Sequence, residues 1–189
     1  MNVPKLLNKR GKSNKKGQVW IETVIYTLIA FILIAAVLAF AKPKIEEIQD
    51  KAIIEQSIIL MKDLDSTISE IVQGGSGNKR ILETSIKKGE MTINAVDDEI
   101  NFEIESRYVY SEPGKEIQDG NLVTKTEKMG DLNIVMINRY YDDYNITFNG
   151  KDENKIISKA ATPYKISVWN KGQKGEEGSE KWQVDVEVS

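Results

Sequence analysis

Lys15-Lys16-Gly17-Gln18-Val19-Trp20-Ile21-Glu22 leads into TVIYTLIAFILIAAVLAFA at residues 23–41, and Lys42-Pro43-Lys44 follows. The 19 residues from Thr23 to Ala41 carry no charge. Counted from Ile21 the run has 21 residues. As a helix rising about 1.5 Å per residue it spans roughly 31 Å, which matches a hydrocarbon core of about 30 Å. Six cations and no acid lie in residues 1–17 (Lys5, Lys9, Arg10, Lys12, Lys15, Lys16). That excess predicts a cytoplasmic N-terminus, with everything after the run outside. A removed secretory signal fits less well. Its apolar region is shorter, about 7–15 residues, and ends at a small-residue cleavage site. Here Lys42-Pro43-Lys44 and a further helical pattern come next.

Glu22 is the anomaly in this segment. An ionised carboxylate costs about 3 kcal/mol at mid-bilayer and less near a helix end. Two readings follow. The side chain reaches the interface and gains from the helix macrodipole, or a cation neutralises it.

The set Lys15-Lys16-Gly17-Gln18 with Glu22 and the apolar run resembles the N-terminus of an archaeal type IV pilin precursor, over about 30 residues. The resemblance implies a class III signal peptide cut by a prepilin peptidase between Gly17 and Gln18, with the apolar run kept. Lys15 and Lys16 match the basic residues before the cut, Gly17 the small residue at it, and Gln18 the new terminus. Glu22 then becomes the fifth mature residue, and its implied partner in assembly is the new amine of Gln18. Glycine also suits a site that a protease must draw into extended form, because it has no Cβ to resist.

The resemblance divides the chain into residues 1–17, a cleaved basic leader; 18–41, a transmembrane and filament-core helix; 42–73, its amphipathic continuation; and 78–189, a β-rich extracellular head. It implies a non-enzymatic structural subunit of a surface filament serving adhesion. The partners it implies are the peptidase, an assembly ATPase with its membrane platform, further copies of the chain, and lipid before assembly. The rival readings are an archaellum subunit, a solute- or sugar-binding module on a pilin-like anchor, and a membrane-anchored enzyme.

Composition narrows the chemistry. The 189 residues contain no Cys and no His. Disulfides, thiolate metal sites and Ser-His or Cys-His nucleophile pairs are therefore excluded. No cofactor is expected. Without the leader's six cations, the 26 basic residues fall to 20 against 29 acidic ones. A surface of that sign does not suit nucleic acid, and none is expected as a partner.

Past the membrane run, Ile45, Ile48, Ala52, Ile54, Ile58, Met61, Leu64, Ile68 and Ile71 recur mostly every three or four residues. This predicts an amphipathic helix whose apolar stripe covers the head. Glu46, Glu47, Asp50, Lys51, Glu55, Lys62, Asp63 and Asp65 are expected on its solvated side. Pro43 is expected to kink or locally melt the helix, and Gly74-Gly75-Ser76-Gly77 to end it.

From Arg80 the period is two. Strands are predicted at Met91–Ala95 and Ile100–Ile104, as a hairpin around Asp97-Asp98, then at Leu132–Ile137, Tyr144–Phe148, Tyr164–Trp169 and Trp182–Val188. Turns are expected at Pro113-Gly114, Asp119-Gly120 and Asn149-Gly150, and a mobile loop over Asn170–Lys181. The fold class expected is α+β: one long helix followed by an antiparallel, sandwich-like head.

Asp97-Asp98-Glu99 and Asp142-Asp143 with Asn145 place several oxygens together but match no cation-loop spacing, so turn chemistry explains them. The aromatics Tyr108, Tyr110, Tyr140, Tyr141, Tyr144 and Trp169 are expected to pack. Asn145-Ile146-Thr147 is the one N-x-[ST] sequon. It makes Asn145 a candidate glycosylation site under this topology.

Overall fold

A computed structural model describes residues 15–175 and 178–189, with side chains from Val19 onward. The N-terminal cations Lys5, Lys9, Arg10 and Lys12 lie outside the described residues. A single α-helix, α1, runs over Lys15–Gln73. The chain divides into two compact units, one ending at Lys44 and one running from Ile45 to Ser189. Helical structure continues through Pro43 without a break. The division between units therefore falls inside the helix, and residues 45–73 belong with the strands.

Ten strands follow: β1 Lys79–Thr84, β2 Glu90–Asn94, β3 Glu99–Ser106, β4 Glu116–Asp119, β5 Leu122–Met129, β6 Leu132–Tyr140, β7 Tyr144–Phe148, β8 Lys155–Ser158, β9 Tyr164–Lys174 and β10 Lys181–Val188. They form a six-stranded sheet ordered β4-β5-β6-β3-β2-β8 and a four-stranded sheet ordered β1-β9-β10-β7. The architecture is α+β. The expected hairpin around Asp97-Asp98 is present, with Met91 opposite Phe102 and Ile93 opposite Ile100. One pairing departs from the antiparallel expectation: β7 runs parallel to β10, with Trp182 opposite Tyr144.

Both sheets turn one face into a single apolar cluster. It holds Ile54, Met61, Leu64, Ile68 and Ile71 of α1 together with Met91, Phe102, Val135, Ile146, Val168 and Val186. Full burial of each such side chain contributes about 1.5–3 kcal/mol, so the helical stripe is a main support of a head that has no disulfide. Gly89 shows how tightly this core closes. Its φ is +87°, and a Cβ there would meet the Glu103 carbonyl oxygen and, at 2.9 Å, the Phe102 ring.

The helix ends as expected. Gly74 N–H donates to the Glu70 carbonyl at 2.9 Å and Gly75 N–H to the Val72 carbonyl at 3.1 Å. Gly75 takes a φ of +87°, which a side chain would resist.

Two acids assigned to the solvated side are instead engaged with the head, Asp50 buried and Asp65 half-buried. Asp50 is 4% exposed; its Oδ1 meets Lys88 Nζ at 2.5 Å and its Oδ2 accepts the Arg107 N–H at 2.7 Å. Asp65 pairs with Arg139 Nε at 2.5 Å and accepts from Asn121 Nδ2 at 2.9 Å. Asp50 tethers α1 to the connections after β1 and β3, and Asp65 tethers it to β6, roles that pattern alone does not separate from solvation. The expected loop over Asn170–Lys181 begins later than predicted, because β9 continues to Lys174. Asn170 is fully buried and donates from Nδ2 to the Ile71 carbonyl near the helix end at 3.1 Å.

Tyr141 is buried and stacks on Tyr144 with centroids 5.8 Å apart. Burial first, and then the Asp65 carboxylate, push its hydroxyl pKa upward. An unfolded tyrosine ionises near about pH 10. The folded head favours the neutral form, so this stabilisation is complete below that pH and is lost as pH rises above it. Urea midpoints should fall above about pH 10, and Tyr141→Phe should flatten the fall. An equal fall in the variant would assign the alkaline loss to other groups.

Candidate functional site: the apolar N-terminal helix

Every residue from Val19 to Phe40 is exposed. The helix is long and apolar enough to cross a membrane, and its most apolar stretch has no buried part. Large side chains face outward all round, among them Trp20, Ile25, Phe31, Leu33 and Phe40. A helix that is apolar on every side needs an apolar surrounding. Its backbone is satisfied within the helix, which suits lipid. The two threonine hydroxyls in the first turns are satisfied as well. Thr23 Oγ1 donates to the Val19 carbonyl at 2.9 Å and Thr27 Oγ1 to the Thr23 carbonyl at 2.8 Å.

Glu22 is exposed within this unit. Gln18 precedes it by four residues in the same helix, a spacing that puts both on one face. Lys15, Lys16, Gly17 and Gln18 form the first residues of α1; their side chains are not among those described. The Gly17–Gln18 bond thus sits in helical backbone.

The head brings together no comparable chemistry. Among the described residues no group of three or more Asp or Glu converges on a metal-sized site. Asp98 instead acts as a clamp. Held at φ +53°, it accepts the Ile146 N–H at 2.8 Å and meets Lys181 Nζ at 3.2 Å, so a turn of one sheet is fastened to β7 and β10 of the other. The sequon lies on β7, an edge strand. Asn145 is half-buried there. Thr147 is 1% exposed, with its hydroxyl donating to Asp185 Oδ1 at 2.9 Å.

Sequence reasoning placed Ile45, Ile48 and Ala52 on the stripe that covers the head. All three are exposed instead, as is Ile59. Helical periodicity reports that a face is apolar but not what covers it.

No protein-family model, curated protein or solved structure matches the chain.

Proposed function

We propose that this chain is the structural subunit of a type IV pilin-like surface filament. It is made as a membrane precursor with its N-terminus in the cytoplasm, cut after Gly17 by a prepilin peptidase, and polymerised through its apolar helix. An assembly ATPase and its membrane platform drive that step. The β-rich head faces outward, and its role is contact and adhesion. The observation that carries the reading is the exposure of every residue from Val19 to Phe40 on a chain whose strands already share a core with Ile54 to Ile71 of the same helix. Such a helix needs lipid in one state, and other helices can replace lipid in the next.

The test is electron microscopy of sheared cell-surface material with N-terminal sequencing of its main band. Filaments whose subunit begins at Gln18 support the proposal. A surface form that begins at Met1, or that starts beyond Ala41, overturns it.

A further inference from the structure

An N-x-[ST] acceptor belongs in a surface loop, yet Asn145-Ile146-Thr147 lies within β7. Ile146 points into the apolar cluster, so Asn145 and Thr147 stand on the outer face of the four-stranded sheet. Asn145 keeps part of its surface open. Thr147 does not. It is 1% exposed, and Asp185 Oδ1, which accepts its hydroxyl, also accepts the Gly150 N–H at 2.6 Å. Asp185 is itself buried. The hydroxyl is thus held between β10 and the turn that follows β7. The backbone is fastened along both edges of the strand. On one edge β7 pairs with β10, Asn145 opposite Gln183 and Thr147 opposite Asp185. On the other, the Ile146 N–H donates to Asp98 Oδ1 and the Phe148 N–H to the Lys151 carbonyl at 2.8 Å.

We propose that the folded head is closed to glycosyl transfer at Asn145, and that this asparagine is a substrate only while β10 is unpaired. In the transfer, the Asn145 amide nitrogen bonds to the anomeric carbon of a lipid-phosphate-linked glycan. The bond from that carbon to the phosphate oxygen breaks, and its electron pair leaves with the lipid phosphate. One amide proton passes to a base of the transferase. An acceptor rule that demands a hydroxyl two residues after the asparagine means that the enzyme reads both groups. Here the amide is within reach and the hydroxyl is not. Freeing Thr147 and its strand requires removal of β10, which lies between β9 and β7 and places Val184 and Val186 in the core. A central strand opens only with much of the unit around it. Lys181, the first residue of β10, lies 33 residues past Phe148, the last of β7. During synthesis there is therefore an interval in which the sequon exists and its cover does not. Occupancy of Asn145 is decided by a race between transfer and folding, not by the finished surface. The inference rests on the outward-facing head proposed above, since a transferase of this kind works on that side of the membrane. The closure itself is a property of the head, and its test uses no filament.

The full chain in detergent would be compared with a variant carrying both Val184→Asp and Val186→Asp. Both valines are fully buried, and two unpaired carboxylates do not stay in an apolar core, so β10 is unseated. Each protein would be incubated with membranes that hold an oligosaccharyl transferase and its lipid-linked glycan, and that modify a free peptide bearing the same sequon. Peptide mass spectrometry reads the fraction of Asn145 that carries glycan. The opened variant should be modified about a hundredfold faster than the folded parent, or more. Adding Thr147→Ala to the opened variant should abolish transfer. Equal rates for parent and opened variant overturn the proposal, because the folded sequon is then accessible. No transfer to the opened variant also overturns it, because opening the head then creates no substrate. Absence of filaments from the parent chain in cells is a separate result, which removes the filament reading and leaves these rates unchanged.

Discussion

Glu22→Gln is expected to leave processed subunit in the membrane and almost no filament outside. The substitution keeps size and shape and removes one charge, so insertion should become easier, by up to about 3 kcal/mol. On the proposed filament reading, what disappears is the attraction between this carboxylate on one copy and the amine freed at Gln18 on another. At about 4 Å and an effective dielectric near 20, that pair is worth about 4 kcal/mol, and each 1.4 kcal/mol is about tenfold in association. Filament yield should therefore drop by roughly 1,000-fold relative to processed monomer. Quantitative blotting of sheared and membrane fractions reads both. Parental yield from the variant would show that Glu22 reaches the interface and recruits nothing.

Phe102→Ala should produce the largest loss of head stability. Phe102 is 1% exposed on β3, and it borders a groove with Ile53 and Leu60 of α1 and with Leu82 and Ile86. Truncating a buried phenylalanine costs about 3–5 kcal/mol, part of it for the cavity left behind. Collapse into that cavity is restricted, because Gly89 already sits against both the ring and the Glu103 backbone. A unit of this size loses about 2–4 °C per kcal/mol, so the melting midpoint should fall by roughly 10 °C. Thermal circular dichroism of the full chain in detergent measures it. A shift of under about 2 °C would mean that the joint between α1 and the six-stranded sheet contributes little.

Much of this fold is legible in the residue pattern, and the gaps have identifiable causes. The membrane run, the helix end at Gly74-Gly75 and six of the strands announce themselves through charge, glycine and alternation. The four strands that do not are β1, β4, β5 and β8. In β5 the inward positions after Leu122 are Thr124 and Thr126, with Ser111 donating to Thr126 Oγ1 at 2.7 Å; a buried hydroxyl pair hides the period. β4 is exposed along its whole length. β1 and β8 are short edge strands with few inward positions. Asp50 and Asp65 read as surface acids because their partners Lys88 and Arg139 lie 38 and 74 residues away. At the candidate site the sequence names Lys15, Lys16, Gly17, Gln18 and Glu22. It does not show that Ile45, Ile48 and Ile59 face away from the core, since only the packed strands reveal which side of α1 is taken.

The parallel pairing of β7 with β10 bears on how the head matures. β10 lies between β9 and β7, and β1 pairs only with β9, with Lys79 opposite Trp169. The four-stranded sheet thus has no native neighbour for its first strand until the ninth has emerged, and its centre is filled by residues 181–188. Such long-range closure is slow and leaves edges unpaired in the meantime. A nascent head of this design stays open, with edges unpaired, until residues 181–188 have emerged. The cell that makes it therefore has reason to shield the growing polypeptide until β10 can take its place.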